Sequence, residues 1–148
     1  MINIYFSHKI SGGDEKTPVE NMEVNCAKAR SVAHWISREL NRFMAVNIYV
    51  PGGPTEQFVR RAWLKKMLTV PQIMEIDCDI IADSNFVLCY VPEGDELQGG
   101  RAEEVRHAAG LGIPYYQFSN PDHAVEFVRA YYKADQELKD KLNTEVML

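Results

Sequence analysis

Short apolar runs alternate along the chain with longer segments in which apolar residues recur every three to four positions. Four runs rich in β-branched and aromatic residues predict strands, which cover residues 2–6, 46–50, 86–91 and 113–118. Helical spacing predicts helices over residues 21–43, 56–68, 72–82 and 101–111, and a final helix that begins at Pro121. Strands that alternate with helices indicate a parallel sheet. We therefore predict an α/β fold, a doubly wound parallel sheet of four to five strands between two layers of helices.

No repeat, low-complexity segment or linker interrupts this pattern. We therefore treat residues 1–148 as a single domain with the three-layer α/β/α architecture of flavodoxin-like and Rossmann-like proteins. The first predicted helix is amphipathic, because its apolar residues recur at near-helical spacing. These residues are Val24, Ala27, Val32, Trp35, Ile36 and Leu40. The final helix is expected to fray near Lys139, so that residues 136–148 form a charged tail.

Composition and charge narrow the class of protein. Of the 148 residues, 46% are hydrophobic and 25% are charged, as is ordinary for a soluble globular domain. A net charge of -5 disfavours a broad surface for nucleic acid or anionic membranes, but it permits a small anionic ligand in a local basic pocket. The cysteines Cys26, Cys78 and Cys89 lack the spacing of a disulfide framework or a zinc site. The sequence has no apolar window of about 18 residues and no charged leader. Together with the charge and the cysteines, this predicts a cytoplasmic protein with neither a nucleic-acid nor a membrane partner.

The main candidate for chemistry is the segment 99–108, in which two glycines follow a strand and a polar loop and then open a helix. Ligands of open α/β sheets bind beyond the carboxyl ends of the strands, and a glycine-rich turn lets them approach the backbone. Glu104 lies near the start of this helix, where the helix dipole favours negative charge, so it is expected to stay ionised and to be able to act as a nucleophile. The alternative is that Glu103 and Glu104 only stabilise the helix N-terminus.

Three features of the sequence follow one another in a characteristic order and spacing. They are the segment Tyr5-Phe6-Ser7-His8-Lys9-Ile10-Ser11-Gly12-Gly13, Asp83 before the strand at 86–90, and the motif Gly100-x-Ala102-x-Glu104-x-x-x-Ala108. Together, over residues 2–118, they resemble the nucleoside 2-deoxyribosyltransferase superfamily, which includes deoxyribosyltransferases and deoxynucleoside 5′-monophosphate N-glycosidases. The loop Ile10-x-Gly12-Gly13 is most similar to the monophosphate hydrolases.

This resemblance implies that Glu104 attacks the anomeric carbon of a 2-deoxyribose, displaces the base and forms a covalent ester, which water or a second base then resolves. A carboxylate suits this chemistry because the transition state is oxocarbenium-like and carries positive charge. The resemblance also requires an acidic partner that protonates or holds the base, for which Glu75, Asp77 and Asp83 are unranked candidates. It implies no metal and no cofactor.

The implied binding site lies in the loops that follow the first and third predicted strands. The substrate-binding residues would be Tyr5, Ser7, His8, Lys9, Ser11, Gly12, Gly13, Asp95, Gln98, Gly99, Gly100 and Arg101. The first loop would bind a 5′-phosphate through backbone N–H groups, serine hydroxyls and the charge of Lys9, while Tyr5 or His8 would face the base or the sugar.

Three positions depart from the family pattern. Gln98 stands where the transferases tend to have aspartate and the monophosphate hydrolases serine, so the preferred 5′-group is left open. Arg106 and His107 replace a glycine and an aromatic residue after the glutamate. Arg106 either binds phosphate or faces solvent.

Two functions of different classes follow. The first is hydrolysis or base transfer at the N-glycosidic bond of a nucleoside or its 5′-monophosphate, with the base and the sugar left open. The second is a non-catalytic module that senses or sequesters a nucleotide in the same pocket. A flavodoxin-like cofactor carrier is disfavoured because the first loop lacks a dense Ser/Thr run for phosphate. The expected partner is a small molecule. The protein is also expected to form a homodimer or higher homo-oligomer, which exposure of Phe127 and Tyr131 on the final helix would favour.

Overall fold

Parallel strands form a four-stranded sheet in the computed structural model, which describes residues 1–10, 18–52 and 57–147 of the chain. The strands are β1 (Ile2–Ser7), β2 (Val46–Tyr49), β3 (Phe86–Tyr90) and β4 (Tyr115–Phe118). The helices are α1 (Pro18–Leu40), α2 (Gln57–Leu64), α3 (Val70–Ala82), α4 (Gly100–Gly110) and α5 (Pro121–Met147). The predicted class, a parallel α/β sheet, is confirmed. None of the helices in these ranges is long and apolar enough to cross a membrane.

The strand order is β2-β1-β3-β4, which the sequence does not predict. Ile4 of β1 pairs with Ile48 of β2 on one side and with Phe86 of β3 on the other. The chain adds β2 on one side of β1 and β4 on the opposite side of β3. The direction in which strands are added therefore reverses between β1 and β3. Such a reversal leaves a crevice beyond the carboxyl ends of the two central strands, where ligands of open α/β sheets bind.

At the opposite, amino edge of the sheet, Asn3 and Asn85 fasten β1 to the start of β3. The backbone N–H of Asn3 donates to Oδ1 of Asn85 at 2.8 Å, and the backbone N–H of Asn85 donates to the carbonyl of Asn3 at 2.7 Å. These reciprocal bonds join residues 82 positions apart in the sequence. They support the register that places Ser7 beside Cys89 at the carboxyl edge.

Alternate residues of the central strands face two different helix layers. The first layer contains α1 and α5, and the strand residues buried in its cluster include Ile4, Phe6, Phe86 and Leu88. The second layer contains α3 and α4, and the residues of its smaller cluster are Tyr5, Ile81, Val87 and Ala108. The two helix layers and the sheet between them form the predicted three-layer arrangement.

The core face of α1 differs in part from the predicted one. Its buried residues are Met22, Cys26, Ala29, Ala33, Ile36 and Leu40. The prediction is correct for Ile36 and Leu40 but wrong for Val24, Ala27 and Trp35, which are exposed. Small side chains at three of the buried positions let the helix backbone approach the sheet closely, and such positions are less conspicuous in a hydropathy pattern than large residues.

Helix α5 continues to Met147, so the described part of the predicted charged tail over residues 136–148 is helical. Side-chain pairs one turn apart support the exposed end of the helix. Nζ of Lys139 lies 3.0 Å from Oδ2 of Asp135, and the amide of Gln136 donates to Oδ1 of Asp140 at 2.9 Å. Pairs at this spacing stabilise helices that have few other contacts.

The two aromatic residues of α5 that bear on oligomerisation differ in their surroundings. The ring of Phe127 stacks on Tyr116 with centroids 4.4 Å apart, and it also meets the edge of Phe86. Tyr131 contacts Phe86 but stays 40% exposed. Tyr131 is therefore the more accessible of the two for association, and the oligomeric state stays a prediction.

Candidate active site

Glu104 lies in the crevice beyond β1 and β3. Arg101, Glu104 and Ala108 form the buried face of α4, because their spacing of three and four residues points them in one direction. Helix α4 packs against β3 and β4, and Glu104 is only 5% exposed. The structure thus places this carboxyl group at the carboxyl edge of the sheet, as the sequence predicts.

A cavity of about 630 Å³ opens at Glu104. Its polar lining residues are His8, Lys9, Asp77, Gln98, Arg101 and Glu104. On one side, α2 and α3 contribute a surface that we call the apolar wall, which consists of Val59, Trp63, Val70, Ile73 and Met74. The other described lining residues are Ile10, Met22, Cys26, Gly52, Gly99 and Gly100. This volume suits a small molecule, since ligand pockets commonly measure about 300–1,000 Å³.

Burial changes the protonation state of Glu104. Removal from water is the largest effect and raises the pKa of the carboxyl group to about 8, from an ordinary value of 4.5. The hydroxyl of Tyr5 lowers this pKa because it can donate a hydrogen bond to the carboxylate, and the negative charge of Asp77 raises it. At neutral pH the group is therefore mainly protonated in the absence of a ligand. The prediction that it stays ionised is wrong, because Glu103 is the acidic residue of the first helical turn and Glu104 follows it into the interior.

Two hydroxyl groups of β1 lie behind this carboxyl group. Tyr5 and Ser7 project toward the α3 and α4 layer, and the hydroxyl of Ser7 also lowers the pKa of Glu104. Oε2 of Glu104 is buried without a hydrogen bond of standard geometry to the described residues. A buried polar atom in this state is a cost that a donor on a ligand or a water molecule can remove. The neighbouring Cys89 is not a candidate nucleophile, because burial raises the pKa of its thiol to about 11.

Of the three candidate acidic partners, the structure brings Asp77 to the cavity. Asp77 is buried on the inner face of α3 and lines the same cavity as Glu104. Glu75, two positions earlier on that helix, is exposed and lies outside the lining. Asp83 is the exposed C-cap of α3 and precedes β3, so it lies at the amino edge of the sheet, away from Glu104. Asp77 is therefore the acidic partner that the geometry supports.

Arg101 holds the loop between β3 and α4. Its guanidinium group donates to the backbone carbonyls of Tyr90 and Glu96, each at 3.0 Å, and lies 3.0 Å from Oδ2 of Asp95. Asp95 also accepts a hydrogen bond from the backbone N–H of Glu96 at 2.8 Å, which is the main cause of its lowered pKa. Arg101 and Asp95 are predicted to bind substrate, but the structure shows them bound to each other and to the loop backbone.

Gly99 and Gly100 let this loop turn into α4 beside the carboxyl group. Gly99 is the N-cap of α4 and has a φ of 62°, a conformation that favours glycine. A Cβ atom at Gly100 would lie 3.1 Å from Cε of Met74 and 3.9 Å from Oε1 of Glu104. A side chain at position 100 would therefore narrow the approach to Glu104. Gln98 lines the cavity as an exposed residue just before this turn.

His8 connects the end of β1 to the turn that follows β2. Its Nε2 lies 2.6 Å from the carbonyl of Pro51, and its Nδ1 lies 3.0 Å from the carbonyl of Lys9. Burial lowers the pKa of the imidazole, so the ring is neutral at neutral pH and only one of its nitrogens donates. His8 thus holds the cavity lining in place, and Lys9 adds a cationic side chain to it.

The remaining predicted residues lie elsewhere. Ser11, Gly12 and Gly13 lie outside the described residues. Arg106 faces solvent, where it binds Oε1 of Glu103 at 2.8 Å and is 70% exposed, and it is not part of the cavity lining. Across the described ranges, no group of three or more His, Cys, Asp or Glu side chains is placed to hold a metal ion.

The sequence does not predict the apolar wall. An apolar residue that faces a cavity contributes to helical periodicity in the same way as one that faces a filled core, so Trp63 and Met74 read as ordinary core positions. A topological signal could have identified them. The connection from β2 to β3 has to cross the crevice next to β1, so its helices α2 and α3 border any site there.

Comparison of the sequence with protein-family models and with curated proteins finds no match. The function therefore has to be inferred from the residues of the site themselves. Those residues combine two buried acids, hydroxyl groups behind one of them, and an apolar wall on one side of a cavity.

Proposed function

We propose that the protein cleaves the N-glycosidic bond of a nucleoside or its 5′-monophosphate, with Glu104 as the nucleophile. The observation that carries this proposal is the placement of two buried acids, Glu104 and Asp77, in one cavity at the crevice beyond β1 and β3. The resemblance of the Gly100-x-Ala102-x-Glu104 motif to the nucleoside 2-deoxyribosyltransferase superfamily supports the same activity and favours 2′-deoxyribose as the sugar.

Two displacements at one carbon make up the proposed reaction. In the first, an oxygen of ionised Glu104 bonds to the anomeric carbon while the bond from that carbon to the base nitrogen breaks. The electron pair of the broken bond stays on the base, which takes a proton from Asp77. In the second, water attacks the same carbon, its proton passes to Asp77, and the ester bond breaks to restore the Glu104 carboxylate. Both transition states place positive charge on the sugar, which a buried carboxylate stabilises more strongly than an exposed one.

The proposed division of roles requires a proton to move between the two acids. Glu104 must lose its proton before it can attack, and without a ligand its pKa of about 8 keeps it mainly protonated at neutral pH. The negative charge of Asp77 is one of the effects that raise this pKa, because two ionised carboxylates repel each other. In the proposed reaction, transfer of the proton from Glu104 to Asp77 gives an ionised nucleophile and a protonated acid.

The rest of the cavity suits the other parts of a nucleoside. The cavity of about 630 Å³ has room for the sugar and the base together. Lys9 offers a positive charge to a 5′-phosphate, whereas the donors of Arg101 are occupied by the loop that it holds. These contacts support both a nucleoside and its monophosphate as substrates.

The proposed enzyme acts on its small-molecule substrate in the cytoplasm as a homodimer or higher homo-oligomer. The exposed ring of Tyr131 on α5 supports association. Size-exclusion chromatography with light scattering measures the assembly, and a monomer at all concentrations would contradict it.

Chromatographic detection of free base tests the activity. The protein is incubated with deoxynucleosides, ribonucleosides and their 5′-monophosphates, and we expect base release from at least one of them. Glu104→Gln keeps the shape of the protonated acid but cannot form the ester, so it should lose activity by on the order of 1,000-fold or more. Glu103→Gln is the matched control on the exposed side of the same helix and should keep full activity. Release that is equal in wild type and Glu104→Gln, or absent with every compound, would contradict the proposal.

One observation favours the second function, a nucleotide-binding module without catalysis. A protonated carboxyl group is not a nucleophile, and Glu104 is mainly protonated at neutral pH when no ligand is bound. Isothermal titration calorimetry with the same compounds separates the two functions. Binding of equal strength in wild type and Glu104→Gln, with no base released, would support the binding module.

A further inference from the structure

The apolar wall lies beside the two acids of the cavity. Asp77 follows Ile73 by four residues and Met74 by three, so these side chains share one face of α3, and Val70 lies one turn further back. Met74 and Glu104 both lie near the Cβ position of Gly100, so the wall begins close to the carboxyl group of Glu104. A base that Asp77 protonates therefore lies next to the wall.

The chemistry of the wall does not match the edge of an unsubstituted base. Among its five residues, the indole N–H of Trp63 is the only strong hydrogen-bonding group. The edges of natural bases carry N–H and carbonyl groups, and burying such groups without partners is unfavourable. An alkyl or aryl group attached to that edge would instead gain from removal of its surface from water.

We propose that the apolar wall is a subsite for an apolar substituent on the leaving base, so that the substrates are nucleosides or nucleotides whose base carries a bulky alkyl or aryl group. This inference rests on the proposed function, which places the sugar at Glu104 and the base toward Asp77. The subsite itself is a property of binding, so it can be measured with free bases, which have no glycosidic bond to cleave.

Isothermal titration calorimetry with two matched pairs of bases tests the subsite. The pairs are adenine with N6-benzyladenine and uracil with 5-benzyluracil, each titrated into wild type and Glu104→Gln. In at least one pair we expect the benzyl compound to bind roughly tenfold to a hundredfold more tightly, as burial of an aromatic ring implies. The advantage should be equal in Glu104→Gln, because the wall and not the carboxyl group creates it.

Substitutions in α2 test whether the tighter binding of the benzyl compound comes from the apolar wall. Trp63→Ala removes the largest side chain of the wall and should reduce the advantage of the benzyl compound to roughly threefold or less. Trp63→Phe keeps an aromatic ring and should retain most of it. Phe58→Ala is the matched control, because Phe58 lies on the same helix, is 80% exposed and is not part of the cavity lining. It should leave the advantage unchanged.

The outcomes separate this inference from the proposed function. Failure of both pairs to show an advantage, or an advantage that survives in Trp63→Ala, overturns the subsite. If the advantage is present but neither 2′-deoxyadenosine, 2′-deoxyuridine nor their benzyl derivatives release base, the subsite stands and the proposed function fails. If the unsubstituted nucleosides are cleaved with equal or higher kcat/KM, the function stands and the inferred substrate class is wrong.

Discussion

The two faces of the sheet bury different kinds of side chain. The face under α1 and α5 is a continuous apolar cluster with a ring stack between Tyr90 and Phe118. The face under α3 and α4 has a small apolar cluster, next to which Ser7, Asp77, Arg101 and Glu104 are buried with their polar groups. Buried polar groups cost stability unless every one is satisfied, whereas an apolar cluster contributes it. One face therefore maintains the fold, and the other is free to hold groups that a stable core would exclude.

Two neighbouring residues of β3 lie on opposite faces of the sheet, so their substitution tests this difference directly. Leu88 belongs to the apolar cluster, and Cys89 faces the site beside Ser7. Leu88→Ala should lower the free energy of unfolding by about 2–5 kcal/mol, because it leaves a cavity in a filled core. Cys89→Ala removes a single sulfur atom and should cost about 1 kcal/mol. Urea denaturation measures both, and equal losses would show that the two faces contribute alike.

The stability of the protein should also depend on pH, because the face under α3 and α4 buries the carboxyl group of Glu104. The folded protein keeps a proton on Glu104 up to about pH 8, whereas the unfolded chain releases it near pH 4.5. The folded state thus binds more protons between these values, so its stability falls as pH rises through this window, by up to about 1.4 kcal/mol per pH unit.

Glu104→Gln should remove this dependence, so that its stability relative to wild type increases from pH 5 to pH 8. Urea denaturation at several pH values measures the difference between the two curves. Glu103→Gln, on the exposed side of α4, should give a curve parallel to that of wild type. A wild-type curve parallel to that of Glu104→Gln would mean that Glu104 ionises normally in the folded protein.

Replacement of Arg101 tests whether the site depends on the loop that it holds. A lysine ammonium group cannot reproduce the planar set of bonds to Tyr90, Glu96 and Asp95, so Arg101→Lys should cost about 1–3 kcal/mol of stability and weaken the proposed base release. Arg106→Lys is the matched control on the exposed side of α4 and should change stability by no more than about 0.5 kcal/mol. Unchanged thermal denaturation of Arg101→Lys would argue against this role of the buried arginine.

Substitution at Gly100 should have the smallest effect on stability and a clear effect on binding. Alanine favours the helix by about 0.5–1 kcal/mol relative to glycine, but its Cβ atom would press on the tip of Met74, so the net change should stay within about 1 kcal/mol. The same atom narrows the approach to Glu104, so affinity measured by calorimetry should fall. Gly110→Ala, at the other end of α4 with no atom near its Cβ position, should leave affinity unchanged.

The features that the sequence predicts correctly depend on short stretches of chain. The apolar run at 86–90, the polar loop after it and the glycines before Glu104 lie within 20 residues, so their order along the chain already places the glutamate beyond a strand. The strands and helices follow for the same reason, because periodicity is a local property.

The features that it does not predict depend on contacts between distant segments. Asp77 and Glu75 look equivalent in the sequence, and only the packing of α3 turns one inward and the other outward. The charge of Glu104 depends on burial that β1 and α3 impose together, which opposes the expectation from its own helix. The strand order depends on pairing between β1 and β3, for which no local pattern is available.

The reciprocal bonds between Asn3 and Asn85 also constrain how the protein folds. They close a loop of more than half the chain, and contacts between such distant positions form slowly because chain entropy must be lost before they contribute. On the ribosome, β1, α1 and β2 can associate early, but β1 has no partner on its other side until β3 has been synthesised. The nascent chain therefore has no crevice between its central strands, and no pocket around Glu104, until α4 has left the exit tunnel.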